Sequence, residues 1–296
     1  MLDKTIEKLF ASALAIEDQA ALEREDVGFM ARAMTLCTMP HSKQSDNEFT
    51  RKNGNFTMTM LSPRAVGLPY GVIPRLLLCW LTSEAVRTKS RTIILGDSLS
   101  EFMKKLGMQS QSGGKTGSIT RLKDQLKRLF FCDISCNYQS KGHDAGMGFK
   151  IADAYSVWWT VKESEQGTLW QSTVTLSENF FNEVTTSPVP LDLMALKALK
   201  RSPLAIDIYL WLTYRMSYLK APCQISWHYL QKQFGSEYAR DRDFKTAFKD
   251  AIKKIQVVYA GANFQLQDAG VLLKPGHPSI PKKQLKSLSK TEVIHA

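Results

Sequence analysis

At 296 residues the chain is long enough for two domains of ordinary size, each with its own core. Its 39 Lys and Arg against 28 Asp and Glu leave a net charge of +11 and a pI near 9.4, which favours a polyanionic partner over an acidic substrate. A hydrophobic content of 44% and a mean hydropathy of -0.22 exclude a disordered basic tail, and the longest apolar run, Val72 to Leu81, is too short for a bilayer and is interrupted by Pro74 and Arg75.

The N-terminal stretch MLDKTIEKLF lacks the apolar core of a secretory signal, so the expected location is the cytoplasm, with no membrane partner. Leu2, Ile6, Leu9, Phe10 and Leu14 recur at helical spacing and a second stretch follows, Val27 to Leu36, predicting a helical N-terminal arm. Met39 to Asn55 is polar, with turn signals at Pro40 and Asn53-Gly54, and reads as a loop entering a short strand, Phe56 to Leu61. After Leu68-Pro69-Tyr70-Gly71 comes an apolar helix carrying Trp80-Leu81-Thr82. Arg91 to Leu95 is compact and β-branched, hence a strand; Ser98 and Glu101 make a capping box ahead of an amphipathic helix ending in Phe102 to Gly107 (FMKKLG). A flexible turn, Gln109 to Gly117, precedes a third helix over Ser118 to Phe131, with Ser118 as its cap. Cys132 to Tyr138, Phe149 to Val161 and Leu169 to Leu176, with a loop at Lys141 to Gly148, read as the hairpin strands of a wing.

Ser187 to Leu191, with two prolines, reads as a stiff linker. Beyond it the pattern returns: an apolar helix over Pro203 to Leu219 with Trp211-Leu212-Thr213, a short strand at Gln224 to Ser226, and a helix over Trp227 to Phe234 whose end, Leu230 to Gly235 (LQKQFG), echoes FMKKLG. A basic helix over Asp243 to Tyr259 and a small hairpin through Phe264 to Leu273 complete it, and Pro275 to Ala296 reads as a mobile basic tail. Helix, helix, turn, basic helix is the order of a helix-turn-helix unit. The expected fold is α+β: a helical arm and loop over 1–54, a first winged-helix domain over 55–187, a second over 188–273, and a flexible basic tail over 274–296.

At about 100° per residue, Ile119, Leu122, Leu126, Leu129 and Phe130 fall on one face of the third helix, with Thr120, Arg121, Asp124, Lys127 and Arg128 opposite. In the second copy Phe244, Phe248, Ala251, Ile252 and Ile255 oppose Arg242, Lys245, Thr246, Lys249 and Lys253. Arginine can bond guanine through two donors, threonine can touch a thymine methyl, and lysine neutralises phosphate, so each stripe suits a helix in a major groove. A merely solvated face would look the same in one copy; its return at the same place in the second favours a double-stranded DNA partner. Asp124 can accept from a cytosine amino group or pair with Arg128 four residues on. Lys115, Thr116 and the backbone amides near Ser118 are candidates for phosphate contact, and Lys282, Lys283, Lys286 and Lys290 would add charge without sequence information.

Catalytic readings fail on spacing. Gly113-Gly114-Lys115-Thr116 lacks the earlier glycine of a P-loop, whose place is taken by Gln109. His41, His143, His228, His277 and His295 are scattered singly, and Cys132 and Cys136 have no second ligand pair, so neither metal nor cofactor is expected and the chain reads as a non-enzyme. The five cysteines, mostly in apolar runs, read as buried reduced thiols. Tyr155, Trp158, Trp159 and Trp170 could stack single-stranded bases, although a strand core accounts for them more simply.

Several long blocks carry a resemblance: EFTRKNGNF (Glu48 to Phe56), GLPYGVIPRLLLCW (Gly67 to Trp80), EAVRTKSRTIILGDSLSEFM (Glu84 to Met103), Ile119 to Phe130, and SPLAIDIYLWLTYRMSYL (Ser202 to Leu219). Trp170 to Phe181 and Ile225-Ser226-Trp227 add to it. In these the chain, from about Gly28 to Leu273, resembles the plasmid-encoded RepA-type replication initiators. The resemblance implies a non-enzymatic initiator that binds repeats at a plasmid origin, helps open the duplex and brings in host replication proteins. It also implies repression of its own promoter and a change between monomer and homodimer. Two reading helices in one chain could then occupy successive major grooves about 34 Å apart. A transcriptional regulator without an initiation role, or a nicking or priming enzyme, are the alternatives at this level.

Overall fold

The computed structural model describes residues 27–96, 98–108, 112, 114–157, 172–235 and 238–280. The arm before Val27, Trp158, Trp159, Trp170 and the four tail lysines lie outside the described residues. In chain order the described residues form β1 (Val27–Met30), α1 (Arg32–Leu36), β2 (Glu48–Asn53), β3 (Phe56–Leu61), α2 (Val72–Thr88), β4 (Thr92–Ile94), α3 (Leu99–Lys105) and α4 (Ser118–Phe131). There follow β5 (Asp133–Ser140), β6 (His143–Phe149), β7 (Ala152–Ser156), β8 (Thr173–Leu176), α5 (Glu178–Thr186), β9 (Val189–Asp192), α6 (Leu193–Ala198) and α7 (Pro203–Tyr218). The last are β10 (Cys223–Ser226), α8 (Trp227–Phe234), α9 (Asp241–Val258), β11 (Phe264–Gln267) and β12 (Gly270–Leu273). Helices and antiparallel sheets are mixed along the chain, an α+β fold.

The chain divides into two compact units, one of residues 31–33 and 39–188, the other, among the described residues, of 27–30, 34–38 and 189–280. One topology occurs in both. In the first, α2, β4, α3 and α4 are followed, after the inserted strands β5 and β6, by the antiparallel pair β7–β8, with sheet order β4-β8-β7. In the second, α7, β10, α8 and α9 are followed by β11–β12, with order β10-β12-β11. The Trp-Leu-Thr echo is structural: Trp80 meets Phe102 edge-on at 5.2 Å, and Trp211 meets Phe234 edge-on at 5.5 Å. Thr82 and Thr213 are both buried. The two apolar helices are amphipathic in neither case because each is a central helix wrapped by its own unit. Local chemistry sets their ends: α7 opens on Pro203 with the Ser202 hydroxyl accepting from the Ala205 amide at 3.2 Å, and α2 closes at Lys89 in the left-handed region. Each buried Leu, Phe or Ile contributes roughly 1.5–3 kcal/mol to these cores.

Several expected elements differ. Val27–Met30 is a strand, not helix, and it pairs with Val189–Asp192, the expected linker, in the register Phe29 opposite Pro190. A two-stranded ribbon leaves one edge of each strand unpaired, so a proline there removes no ladder bond. Glu48–Asn53, expected as loop, is β2 of a four-stranded sheet, order β2-β3-β5-β6. Its period of two was hidden because the inward residues are Phe49 and Arg51, and the guanidinium is buried over the Phe49 ring at 4.6 Å. The strands expected as one wing therefore belong to two sheets, β5 continuing β2–β3 and β7–β8 joining β4, and His143–Phe149, expected mostly as loop, is strand β6 beside β5. Glu178–Thr186 is a helix capped by Ser177, burying Phe180 and Val184 at i, i+4. Residues 274–280, expected as the start of a mobile tail, are tied down: His277 carbonyl accepts from Tyr259 hydroxyl at 2.6 Å, Thr213 hydroxyl bonds the Ser279 hydroxyl and amide at 2.7 Å each, and Ile280 is fully buried.

All five cysteines are free thiols; Cys37, Cys79, Cys132 and Cys136 are buried and Cys223 is half-buried. Burial, reinforced by the nearby carboxylates of Asp133 and Glu183 respectively, pushes the Cys132 and Cys136 thiols up to about 12. Both are raised, so the neutral thiols favour the fold below the ordinary value of 9.0, and that advantage is lost as pH climbs from there toward 12. Two outcomes are expected: alkylation of the native protein at about pH 8 labels Cys223 well before Cys132 or Cys136, and denaturant midpoints fall on the alkaline side of pH 9.0. Rapid labelling of Cys132 without unfolding contradicts this burial.

Candidate nucleic-acid interface

α4 anchors itself by Leu122, Leu126, Leu129 and Phe130, all buried. Buried Gln125 adds a directional tie, its side-chain oxygen accepting from the Tyr70 amide at 2.9 Å. The opposite face presents Thr120, Arg121 and Lys127 to solvent, with Lys115 and Thr116 exposed in the preceding turn. Among the described residues Arg121 and Lys127 form no ion pair, so their charges are available to an anion. Thr120 is engaged, its hydroxyl donating to the Gly114 carbonyl at 2.7 Å, which closes the turn onto the helix.

Two candidates are placed differently from the rest. Ser118 is not the cap, which is Gly117; it is buried, and its hydroxyl accepts from the Ser112 amide at 3.0 Å while the Ser112 hydroxyl accepts from the Ser118 amide at 3.0 Å. This reciprocal pair pins the turn and leaves the Ser118 side chain facing protein. Arg128 turns inward, with only 13% of its side chain exposed: Nε donates to Asp124 at 2.8 Å, Nη1 donates to the Leu68 carbonyl at 3.3 Å, and the guanidinium lies over Tyr70. Of the two roles open to Asp124, the structure has the ion pair. Arg128 therefore clamps α4 to the loop before α2 rather than facing solvent with Arg121.

In the second unit Phe244, Phe248, Ala251, Ile252 and Ile255 are buried, and Arg242, Thr246, Lys249 and Lys253 are exposed with Lys245 half-buried beside them. From Arg242 to Lys253 the row spans about 16 Å of helix at 1.5 Å per residue. Acids are interleaved with it. Asp243 accepts from Arg240 at 2.8 Å and lies 3.6 Å from Arg242, and Asp250 accepts from Lys253 at 3.3 Å. Lys245 and Lys249 instead lie over the ring of Trp227, their ammonium groups 6.0 and 5.9 Å from its centroid. Sequence periodicity does not single out Trp227, because a tryptophan opening a helix reads as core. Lys123, exposed on the shoulder of α4, and Arg240, exposed at the start of α9, also lie beside the stripes. The helical wheel could have found Lys123; the bend of the chain before α9 hides Arg240.

Among the described residues no cluster of His, Cys, Asp or Glu is arranged to hold a metal ion, and no helix is long and apolar enough to cross a membrane. No curated protein matches the chain. Two crystal structures of domains 2 and 3 of RctB share its fold. The selenomethionine form has a TM-score of 0.54 at 11% identity, covering 84% of this chain and 97% of its own, and a second form has 0.50 at 12%, covering 82% and 96%. At such identity the likeness is one of fold. The family model described as plasmid encoded RepA protein matches residues 68–228, more than half of the chain. That span starts at the loop clamped by Arg128, takes in α4, and ends in the first turn of α8 beside Trp227, and by it the chain belongs to the family of plasmid-encoded RepA proteins.

Proposed function

We propose that the protein is a non-enzymatic plasmid replication initiator that binds repeated double-stranded DNA sites at its origin through the outer faces of α4 and α9. The reading of each unit as a winged helix, with β7–β8 and β11–β12 as wings, is supported by the first-third-second sheet order of both, β5 and β6 being inserted before the wing of the first. The observation that carries the reading is that the third helix of both units turns a row of cations outward while its apolar face is buried. Arg121 and Arg242 would meet base edges, Lys115, Lys127, Lys245, Lys249 and Lys253 phosphates, and Thr116 and Thr246 the groove edge. Opening of the duplex, recruitment of host replication proteins, exchange between monomer and homodimer, and action in the cytoplasm complete the proposal on the strength of the family.

Footprinting on the parent plasmid tests it. Protection of direct repeats beside an AT-rich segment is expected, and protection confined to a promoter palindrome would favour a regulator instead. Arg121→Ala and Lys249→Ala are each expected to weaken binding with an unchanged melting temperature, and Lys249→Ala to flatten the dependence of log K on log salt by about one unit. Unchanged affinity and slope in both variants would place the DNA on another face.

A further inference from the structure

We propose that Trp227 is a positioning residue: its indole face holds the ammonium groups of Lys245 and Lys249 over α9, preset for DNA backbone phosphates. The inference rests on the DNA reading above and adds the device that organises one of its two faces.

The ring is fixed before any ligand arrives. Trp227 is the first residue of α8, capped by Ser226, and is only 6% exposed. Its indole N–H donates to the Gln267 carbonyl at 3.2 Å and its backbone N–H to the Ala269 carbonyl at 3.2 Å, tying it to both sides of the β11–β12 turn. Its ring stands perpendicular to that of Phe248, centroids 5.6 Å apart, so the core side of α9 sets its tilt. Hairpin, α8 and α9 of this one unit thus converge on a single ring.

The contrast along α9 gives that ring a purpose. Lys253 and Arg242 lie near carboxylates of their own helix, which offset part of their charge. Lys245 and Lys249 make no ion pair among the described residues; what each has is a π face. An aromatic face restrains an ammonium group without neutralising it. A free lysine must surrender rotamer entropy when it meets a phosphate, and a restrained one has already lost part of it. Both charges therefore stay whole for a polyanion, one helical turn apart along α9, Lys249 exposed and Lys245 half-buried.

The test uses the full chain with a mixed-sequence duplex of about three helical turns, since phosphate contact is independent of sequence. W227L removes the ring; W227F keeps a ring but deletes the indole donor. Both are made in the natural chain and in a chain carrying Lys245→Met and Lys249→Met. Expected for W227L alone is about a tenfold loss of affinity with a salt slope flattened by up to about two units. W227F should keep most of the slope, and W227L should change affinity by less than about twofold in the chain that already lacks both lysines. In the free natural chain the ε-methylene protons of Lys245 and Lys249 should resonate upfield of other lysines through the indole ring current, and this shift should vanish in W227L. An equal loss of affinity in both backgrounds overturns the proposal, because Trp227 would then serve only the hairpin and the core. Should W227L fail to fold, the natural chain decides: unshifted lysine methylenes overturn the proposal. A natural chain that binds no duplex at any salt concentration overturns the DNA reading and this proposal with it, whereas a binding chain with unshifted methylenes overturns this proposal alone.

Discussion

Arg75→Ala is expected to lower the stability of the unit containing α2 by about 2–5 kcal/mol, read as a shift of its transition in urea. Arg75 is 1% exposed, in the first turns of α2. Its Nη1 donates to the Gly71 carbonyl at 2.6 Å and the Pro40 carbonyl at 3.2 Å, and Nη2 donates to the Met39 carbonyl at 2.7 Å. One guanidinium thus fastens the incoming 39–40 segment to the N-terminus of the central helix. Alanine would strip the guanidinium donors from the Met39 and Gly71 carbonyls, leave the Pro40 carbonyl only the Gly71 amide at 3.1 Å, and open a void the size of the side chain, and each loss is expensive away from water. Arg75→Lys should recover only part of the stability, since a single ammonium cannot span carbonyls on two segments as a planar fork does. A loss below about 1 kcal/mol in the alanine variant would mean that water replaces the guanidinium, contrary to its burial.

Replacing Lys245, Lys249 and Lys253 together by alanine is expected to weaken duplex binding about a hundredfold at physiological salt and to flatten the salt slope by about 2.7 units, three phosphate contacts at about 0.9 each. The fold should survive. Lys249 and Lys253 are exposed, Lys245 is half-buried, and the residues that bury α9 are untouched. Competition by a second, unrelated duplex should be affected to the same degree, because lysine on phosphate carries no sequence information. Arg121→Ala in α4, by contrast, should narrow the difference between origin repeats and unrelated DNA if its guanidinium bonds a base edge. Full affinity in the triple variant, with the slope unmoved, would remove α9 from the interface.

The parts of this architecture that could be read from residues in order are those whose causes lie within a few positions. The apolar run before Trp80, its counterpart before Trp211, the Ser98 cap, whose hydroxyl accepts from the Glu101 amide at 3.1 Å, and the cationic stripes of α4 and α9 all follow from helical period and nearest neighbours. Ser118 shows the limit of even local reasoning. A serine before an apolar period looks like a cap, but Gly117 took that place because Ser112, across the turn, offered Ser118 a reciprocal pair.

Pairings between distant segments had no such local signal. β1 meets β9 although residues 39–188 separate the two in the chain, β2 hides its alternation behind the buried guanidinium of Arg51, and the hairpins β5–β6 and β7–β8 choose different sheets. The direction of a long side chain belongs with these. Arg121 and Arg128 share a helix and a chemistry, yet one meets solvent and the other is drawn onto Asp124, Tyr70 and the Leu68 carbonyl, because a loop sixty residues earlier in the chain packs against its root. Period, capping and charge order thus dictated a repeated module with a basic third helix. Which of its cations stand free, and which strands complete each module, depended on neighbours brought close by folding, since a hydrogen bond or an aromatic face acts over ångströms of space and not along the chain.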